Sequence, residues 1–191
     1  VFASATSTIA VDGYGSFKKW GYFPTYSVSG FGAVTYRSYL SGGYSYDTSD
    51  VYIQVAESRY SSYPFGCGLT ITGKIKCWGR DYTAYGTGAQ DYYYQPHTLS
   101  VSGRYKQITV GFQHACALTY QGVPYCWGFN GYSEVGEGST GLANSLVIAD
   151  SLDTYLSISA GAYHTCGITT NNKIKCWGRN HNYETVPGNN S

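Results

Sequence analysis

The sequence contains no methionine, only five prolines and few charged residues. Charged residues make up 12% of its 191 residues, and twelve Lys and Arg against eleven Asp and Glu leave a formal net charge of +1. A nearly neutral chain has no overall field that would attract nucleic acid or an anionic lipid surface. Long apolar runs are also missing, and a membrane-spanning helix needs about 20 apolar residues in succession. The sequence therefore predicts no nucleic-acid partner and no insertion into a membrane.

Glycine and tyrosine are abundant instead, with 25 and 22 residues respectively. Hydrophobic residues at 42% and aromatic residues at 17% give the chain enough apolar surface for a packed core, unlike a disordered segment. The chain starts at Val1 and carries no charged and then apolar targeting segment. We expect this of a mature chain whose signal has been removed, or of a domain taken from a longer protein.

Six cysteines form three pairs in the sequence, and the members of each pair are ten residues apart. An even number of cysteines at one fixed spacing is typical of disulfides formed in an oxidising compartment. Structural zinc sites use more closely spaced Cys and His pairs, so the spacing favours disulfides over a metal site. We therefore predict a secreted or surface-displayed protein. The predicted disulfides join Cys67 to Cys77, Cys116 to Cys126 and Cys166 to Cys176.

The cysteine pairs belong to a repeat in which Cys, nine residues and Cys-Trp-Gly follow one another three times. A fourth, degenerate copy near the start has Ile9 and Lys19 at the cysteine positions. The repeated tryptophans are 58, 49 and 50 residues apart, a period in the range of propeller blades. We predict a single repeat domain over residues 1–191, with blades at about 1–50, 51–100, 101–150 and 151–191. The tryptophans, which we expect to be structural, are Trp20, Trp78, Trp127 and Trp177.

Apolar and polar residues alternate within each copy, which predicts strands. If Cys67 faces Cys77, the hairpin is centred on Thr72, and a three-residue loop places its last residue in the left-handed conformation. Glycine and asparagine tolerate that conformation, and they are the residues found there. The predicted loop residues are Gly15, Gly73, Gly122 and Asn172.

The same register predicts which residues lie opposite each other on the face that carries the disulfide. Pro124 occupies the position of Ile75 and cannot donate a ladder hydrogen bond, so we expect its strand to be bulged or to lie at an edge there. The predicted cross-strand pairs are Leu69 with Ile75, Ile168 with Ile174, and Val11 with Phe17.

Each period holds about four short strands, one of them starting at Thr98, which amounts to one antiparallel propeller blade. A blade cannot bury both faces alone, so we expect consecutive blades to stack with the repeated tryptophan between them. The predicted fold class is all-β, with about four propeller-type blades in a closed small propeller or a partial, open ring.

The pattern I-x-x-G-x-x-H-x-C-x-[LI]-T-x-x-[GN]-x-[VI]-x-C-W-G-x-N resembles the regulator of chromosome condensation repeat, in the cysteine-paired form found in bacterial secreted proteins. The resemblance is close in 108–130 and 158–180, fair in 53–81 and weak in 1–22. It implies blades like those of the family, whose members commonly close a seven-bladed propeller. Eukaryotic relatives act in the nucleus as guanine-nucleotide exchange factors, and a secreted bacterial relative inhibits β-lactamases. The predicted disulfides and the nearly neutral charge argue against the nuclear function.

No constellation of residues predicts catalysis. His114 and His164 stand at equivalent positions two residues before a cysteine, and recurrence in a repeat favours a structural role. His97 and His181 have no Ser or Cys nucleophile motif beside them. We therefore predict a non-enzymatic protein with no catalytic residue, no bound metal and no cofactor. The spaced carboxylate pairs, which are typical of turns and caps, are Asp47 with Asp50, Glu134 with Glu137, and Asp150 with Asp153.

Tyrosine in the connecting segments is the more suggestive feature. Tyrosine gives rigid, amphipathic contact area at a low entropic cost, which is why binding loops accumulate it. We predict an extracellular module that recognises a carbohydrate or a protein, although the same rings would also serve to cover a core poor in aliphatic residues. Two other hypotheses are a structural subunit that self-associates through blade edges, and an inhibitor of a secreted enzyme. The candidate ligand-binding residues are Tyr82, Tyr85, Tyr92, Tyr93, Tyr94, Tyr132 and Tyr183.

Overall fold

A computed structural model of the chain describes residues 2–3, 7–11, 17–27, 34–45, 50–58, 65–80, 92–99 and 101–185. All regular elements in these ranges are β-strands, and they form four antiparallel sheets. In this part of the chain no helix has the length and apolarity needed to cross a membrane. The predicted all-β fold class is confirmed, and we call the sheets blades 1 to 4.

Consecutive strands pair within each blade. Blade 1 contains β1 (Phe2–Ala3), β2 (Ser7–Val11), β3 (Phe17–Ser27) and β4 (Val34–Ser45). Blade 2 contains β5 (Tyr52–Glu57), β6 (Phe65–Thr70), β7 (Ile75–Arg80) and β8 (Tyr92–Thr98). Blade 3 contains β9 (Tyr105–Val110), β10 (His114–Thr119), β11 (Pro124–Asn130) and β12 (Gly141–Ile148). Blade 4 contains β13 (Tyr155–Ala160), β14 (His164–Thr169) and β15 (Ile174–Gly178).

The central hairpin of each blade has the predicted register. Cys67 lies directly opposite Cys77, and the same holds for the other two pairs, all of which form disulfides. The last loop residue has a positive φ in each described hairpin, at 79° for Gly73, 85° for Gly122 and 58° for Asn172. Gly15 lies outside the described residues. The predicted cross-strand pairs are confirmed as Leu69 with Ile75, Ile168 with Ile174, and Val11 with Phe17.

The prediction for Pro124 is wrong. Strand β11 is an inner strand, and Pro124, its first residue, pairs regularly with Leu118. The carbonyl of Pro124 accepts a hydrogen bond from Ala149 N at 3.0 Å. The nitrogen of Pro124 faces the same side, towards β12, because the N and C=O of a residue in an antiparallel strand point to the same neighbour. The ladder ends there, so no N–H is needed at this position. The register shift falls instead between Cys126 and Gly128, and blades 1 and 2 have the same shift at their Trp-Gly turns without a proline.

The predicted short strand starting at Thr98 is also wrong. Strand β8 ends at Thr98 and pairs along β7 from Arg80 to Lys76. The following residues lead into a bend at Gly103, whose φ of 115° is not compatible with a strand.

The core lies between the blades. We call the side of a blade that carries the cystine its disulfide face, and the opposite side its tryptophan face. Phe65, Leu69 and Ile75 on the disulfide face of blade 2 pack in one cluster with Ala115 and Trp127 of blade 3. The disulfide face of blade 3 packs in the same way against blade 4, and Val11 of blade 1 packs against blade 2. The predicted wedge positions are confirmed for Trp78, Trp127 and Trp177.

Paired glutamine hydrogen bonds tie the first strands of neighbouring blades together. Gln54 of β5 donates from Nε2 to Ile108 O at 3.0 Å and accepts from Ile108 N at 2.9 Å. Gln107 of β9 makes the same two bonds to Ile158, at 2.8 and 3.0 Å. Each side chain satisfies a backbone donor and acceptor that the blade itself leaves open, so the glutamines set the spacing between blades.

We predict that Gln107→Ala lowers the free energy of unfolding by about 1–3 kcal/mol, because the buried backbone groups of Ile158 lose their partners. Urea denaturation followed by tryptophan fluorescence measures the change. Gln121→Ala, in an exposed hairpin turn, is the matched control and should leave stability unchanged. Equal losses in both variants would contradict the interblade role.

A buried histidine links blades 3 and 4. The ring Nε2 of His114 lies 2.9 Å from the hydroxyl of Thr165. Burial, and after it the nearby charge of His164, lowers the pKa of His114 to about 3. Blade 2 has Phe65 at the position of His114, and blade 3 has Ala115 at the position of Thr165.

Acid should therefore weaken this interface. In the unfolded chain His114 titrates near its ordinary pKa of about 6.5, so the unfolded state binds a proton that the folded state does not bind until the pH nears 3. The stabilisation is complete above about pH 6.5 and is lost as the pH falls towards 3, by up to about 1.4 kcal/mol per pH unit.

We predict that the double variant His114→Phe with Thr165→Ala, which copies the apolar pair of the preceding interface, is less sensitive to acid than the parent. Urea denaturation at pH 7.5, 6, 5 and 4 gives the slope of stability against pH. Thr165→Ala alone keeps the histidine and should retain the acid sensitivity. The same slope in the double variant and the parent would show that another group is responsible.

Candidate binding interface

The candidate tyrosines that the structure describes lie in two kinds of element, exposed loops and a strand. Tyr132 and Tyr183 lie in exposed loops after the Trp-Gly turns of blades 3 and 4. Tyr92, Tyr93 and Tyr94 begin strand β8, so the prediction that they lie in a loop is wrong. Tyrosine is favoured in strands, and that propensity was the signal that could have shown this. Tyr82 and Tyr85 lie outside the described residues.

The loops that carry Tyr132 and Tyr183 have one design. We call residues 130–136 loop 3 and residues 180–185 loop 4. The side-chain oxygen of Asn130 accepts from Val135 N at 3.0 Å, and that of Asn180 accepts from Thr185 N at 3.1 Å. A glutamate in each loop accepts from a backbone N–H two residues earlier. Local side-chain to backbone bonds therefore hold both loops in a fixed shape before any partner binds.

Tyr183 has a strained backbone. Its φ is 63°, in the left-handed region that disfavours a large side chain, and Ser133 has the equivalent φ of 62° in loop 3. Its side chain is nevertheless 60% exposed, so burial of the ring does not explain the strain. Strain of this kind concentrates at functional sites, because the surrounding structure must hold it in place.

Tyr132 lies at the centre of an aromatic cluster across blades 3 and 4. Its ring centroid is 6.3 Å from Phe129, 5.9 Å from Tyr163 and 5.5 Å from His181, all with edge-to-face geometry. Tyr163 also contacts Phe112 at 5.3 Å, and the guanidinium of Arg179 lies 4.5 Å from the Tyr163 ring centre. We call this cluster the aromatic rim: Phe112, Phe129, Tyr132, Tyr163, Arg179 and His181.

Among the members of the aromatic rim, only Tyr132 was predicted from the sequence to bind a ligand. The five that were missed are Phe112, Phe129, Tyr163, Arg179 and His181. Phe129 and Arg179 each follow the repeated Trp-Gly, and Tyr163 directly precedes the repeated histidine position. Position in the repeat was therefore the available signal, because residues at equivalent places in neighbouring blades lie on the same rim.

The glutamates of the two loops differ in their surroundings. Glu184 accepts from Arg179 Nε at 3.0 Å, and the backbone bond from Asn182, together with Arg179, lowers the pKa of Glu184 to about 2. Glu134 is fully buried, which raises its pKa, and its Oε1 has no hydrogen-bond partner. Phe129 occupies in blade 3 the position that Arg179 occupies in blade 4, so Glu134 has no arginine at the place from which Arg179 bonds Glu184.

A groove of about 820 Å³ runs beside Tyr183, between the end of blade 3 and strand β15. Its wall includes the apolar side chains of Ile148, Leu152 and Ile174. Lys175 forms ion pairs with Asp150 and Asp153 at its edge. Burial raises the pKa of Asp150, but hydrogen bonds from Lys175 and Tyr155 outweigh burial and lower it to about 2. The groove thus combines an apolar wall with a charged edge that stays ionised.

No group of three or more His, Cys, Asp or Glu side chains in the described ranges is arranged to hold a metal ion. The aromatic rim supplies ring faces, one guanidinium and hydroxyls, which suit non-covalent recognition.

Four stacked antiparallel blades that interlock through a repeated tryptophan define a β-propeller-type repeat protein. Residues 105–134 and 156–184 match the family model of the regulator of chromosome condensation (RCC1) repeat. These two segments are therefore similar to RCC1 repeats.

Solved structures of similar fold include yeast RCC1 (Prp20) bound to Kap60, with a TM-score of 0.70 and 19% identity over 91% of this chain and 40% of that one. Human WBSCR16 gives a TM-score of 0.69 and 15% identity over 93% and 46%. The CRINKLY WD40 ectodomain of the Arabidopsis thaliana receptor kinase ACR4 gives 0.56 and 19% over 92% and 51%. The chain thus spans about half or less of the length of these structures, and the likeness is one of fold.

We predict that Tyr183→Asn raises the free energy of unfolding by about 1 kcal/mol, because asparagine adopts a positive φ more easily than tyrosine. Tyr120→Asn is the matched control, since Tyr120 is 58% exposed and has no positive φ. Thermal unfolding of both variants measures the difference. If Tyr183→Asn were destabilising, packing of the ring rather than functional constraint would explain why tyrosine stands there.

Proposed function

We propose that this protein is an extracellular, non-enzymatic binding module that recognises a protein partner through the aromatic rim. The observation that carries the proposal is Tyr132, an exposed ring held by a preformed loop and supported by three further rings. Exposed tyrosine beside arginine is the composition typical of residues that dominate protein interfaces. Because the loop is already ordered by Asn130 and Glu134, binding costs little conformational entropy.

The aromatic rim favours a protein over a carbohydrate. Its rings contact one another edge to face, and the guanidinium of Arg179 covers part of Tyr163, so the cluster offers mixed apolar and charged chemistry. Yeast RCC1, which has a similar fold, is bound to the protein Kap60 in its solved structure. Carbohydrate recognition is the second candidate, favoured by the exposed rings of Tyr132 and Tyr183. Inhibition of a secreted enzyme would be a special case of protein binding.

Three disulfides support the extracellular location, because such bonds persist in oxidising compartments. They also accord with the cysteine-paired, bacterial secreted form of the repeat. We further propose that the four blades act as one repeat domain, since clusters of buried side chains join each blade to the next.

The test is selection of binders from a phage-displayed peptide library on immobilised protein, with a glycan array in parallel. We predict that Tyr132→Ser reduces binding of the selected peptides at least tenfold, because one central ring supports the rim. Tyr120→Ser, on an exposed hairpin turn elsewhere, should bind like the parent. Peptides that bind both variants equally would refute the rim as the site.

A second set of variants addresses the remaining candidate tyrosines. Replacement of Tyr92, Tyr93 and Tyr94 by serine should leave the selected peptides bound if the aromatic rim alone is responsible. Loss of peptide binding only in this triple variant would move the site to strand β8. Glycan binding without peptide selection would favour the carbohydrate candidate.

A further inference from the structure

Glu134 is a buried carboxyl that loop 3 satisfies on one side only. Its exposure is 0%, although glutamate is rarely buried completely without a partner. Oε2 accepts from Tyr132 N at 2.8 Å, whereas Oε1 has no hydrogen-bond partner among the described residues. An ionised carboxylate in such surroundings loses hydration that the N–H groups of the loop do not replace. The protonated, neutral form is therefore favoured there.

Loop 4 shows which group loop 3 lacks. Glu184 accepts from Asn182 N at 2.7 Å through Oε2, which is the bond equivalent to that of Glu134. Its Oε1 accepts from Arg179 Nε at 3.0 Å, and Arg179 Nη2 lies 2.9 Å from the same oxygen. In blade 3 the position of Arg179 is occupied by Phe129, which has no side-chain donor. The two carboxyls thus share a backbone bond and differ in the group that meets Oε1.

This difference gives the two carboxyls opposite affinities for a proton. Burial raises the pKa of Glu134, and the N–H of Tyr132 and the charge of Arg179 lower it by less. The pKa of Glu184 is lowered to about 2, first by the N–H of Asn182 and also by Arg179. Because the pKa of Glu134 in the folded protein lies above its ordinary value of 4.5, loop 3 is most stable below pH 4.5, where the carboxyl is protonated. Loop 3 loses that stability as the pH rises through the raised pKa, whereas Glu184 stays ionised throughout this range.

The ionisable groups of blade 4 and of the neighbouring segments, as far as the structure describes them, do not bond Oε1 of Glu134. Arg179 is held by Glu184, and His181 contacts the ring of Tyr132. His181 is therefore a second titratable group beside Tyr132, and a test must separate it from Glu134. The remaining groups, which pair with one another or contact other residues, are Lys175, Asp150, Asp153, Glu137 and Tyr163.

The proton on Glu134 affects the aromatic rim because the same carboxyl holds the backbone of Tyr132. The ring of Tyr132 in turn contacts Phe129, Tyr163 and His181. Ionisation of Glu134 favours conformations of loop 3 in which water reaches the carboxylate, and these displace the residue bonded to it. The fraction of molecules with an assembled rim then decreases, and the apparent affinity for a partner decreases with it.

We propose that Glu134 is a proton-operated switch for the aromatic rim, which binds its partner more tightly when Glu134 is protonated and more weakly once Glu134 is ionised. This rests on the proposed function of the rim and adds the condition under which the rim is assembled. The proton is exchanged with solvent, so no other reactant takes part. Mild acid therefore favours capture of the partner, and a higher pH favours its release. Loop 4 does not share this control, because Arg179 keeps Glu184 ionised.

NMR of protein labelled with ¹³C at the glutamate carboxyls tests the switch without a partner. The sequence has four glutamates, Glu57, Glu134, Glu137 and Glu184, and the signal missing from Glu134→Gln belongs to Glu134. This signal should titrate above pH 4.5, and the amide proton of Tyr132 should shift over the same range. In Glu134→Gln the Tyr132 amide should no longer shift there. A Glu134 carboxyl that titrates at or below pH 4.5 overturns the proposal, as does a Tyr132 amide shift that persists in Glu134→Gln.

Affinity against pH tests the effect on binding. The probes are peptides selected on the immobilised protein that lose binding to Tyr132→Ser, with blocked termini and without His, Asp or Glu. For the parent, Kd should increase about fivefold or more from pH 4.5 to 7.5, as is typical of coupling between two sites. Glu134→Gln should keep the acid affinity of the parent throughout, because glutamine retains an acceptor for Tyr132 N and does not ionise. The matched control is Glu137→Gln, at an exposed glutamate three residues further on, which should retain the pH dependence of the parent.

Failure of this proposal differs from failure of the proposed function. Peptides that bind through Tyr132 with the same pH dependence in the parent and in Glu134→Gln would assign that dependence to His181 or another group, and would overturn only the switch. An affinity of the parent that does not change with pH would also overturn the switch alone. If no selected peptide depends on Tyr132, the proposed function fails and this proposal fails with it. Circular dichroism at each pH establishes that all variants are folded, and all of them retain His114.

Discussion

The structure depends on the packing of a disulfide face against a tryptophan face. Neither face is stable alone, because a four-stranded sheet with two apolar sides cannot bury both of them within itself. Leu69 and Ile75 are fully buried only because Trp127 and Ala115 of the next blade cover them. Gln107 then fixes the distance at which this contact is made, through two bonds to Ile158. Stability is therefore a property of neighbouring blades rather than of one blade.

The repeat allowed the hairpins to be predicted from the sequence. It gave less information about the segments that connect the hairpins. Gly73, Gly122 and Asn172 could be assigned because the cysteine spacing fixed the register, and the register required a residue that accepts a positive φ. The prediction for Pro124 was wrong because the cost of its missing N–H depends on which neighbouring strand its nitrogen faces. That depends on the pairing of the whole sheet and is not given by the hairpin alone. The fourth strand of blade 2 was predicted at the wrong place because Tyr92 to Tyr94, with which it begins, do not alternate with polar residues. The aromatic rim requires contacts between blades, such as Tyr132 with Tyr163, that no single repeat contains.

The rigid stack of blades allows its loops to contain energetically unfavourable groups, a strained backbone and a buried carboxyl. Tyr183 keeps a positive φ and Glu134 is a buried carboxyl with an unpaired oxygen, and both lie in loops that follow the Trp-Gly turn. A loop that follows an interblade tryptophan and is closed by an asparagine side chain can bear such costs, since the surrounding packing determines its shape. The two equivalent loops differ in the residue that follows the Trp-Gly turn before each of them. Arg179 pairs with Glu184 of loop 4, whereas Phe129 joins the aromatic rim beside loop 3. Variation of this kind allows a repeated scaffold to present a specific surface.

The same packing of unlike faces recurs at each interface, but its polar contacts differ from one interface to the next. Blade 3 meets blade 4 through His114 and the hydroxyl of Thr165, whereas Phe65 and Ala115 stand at the equivalent positions between blades 2 and 3. Burial lowers the pKa of His114 to about 3, so its contact with Thr165 is made without a buried charge near neutral pH. Substitutions at these two register positions therefore change the pH dependence of one interface, while the disulfide face and the tryptophan face pack in the same way at both.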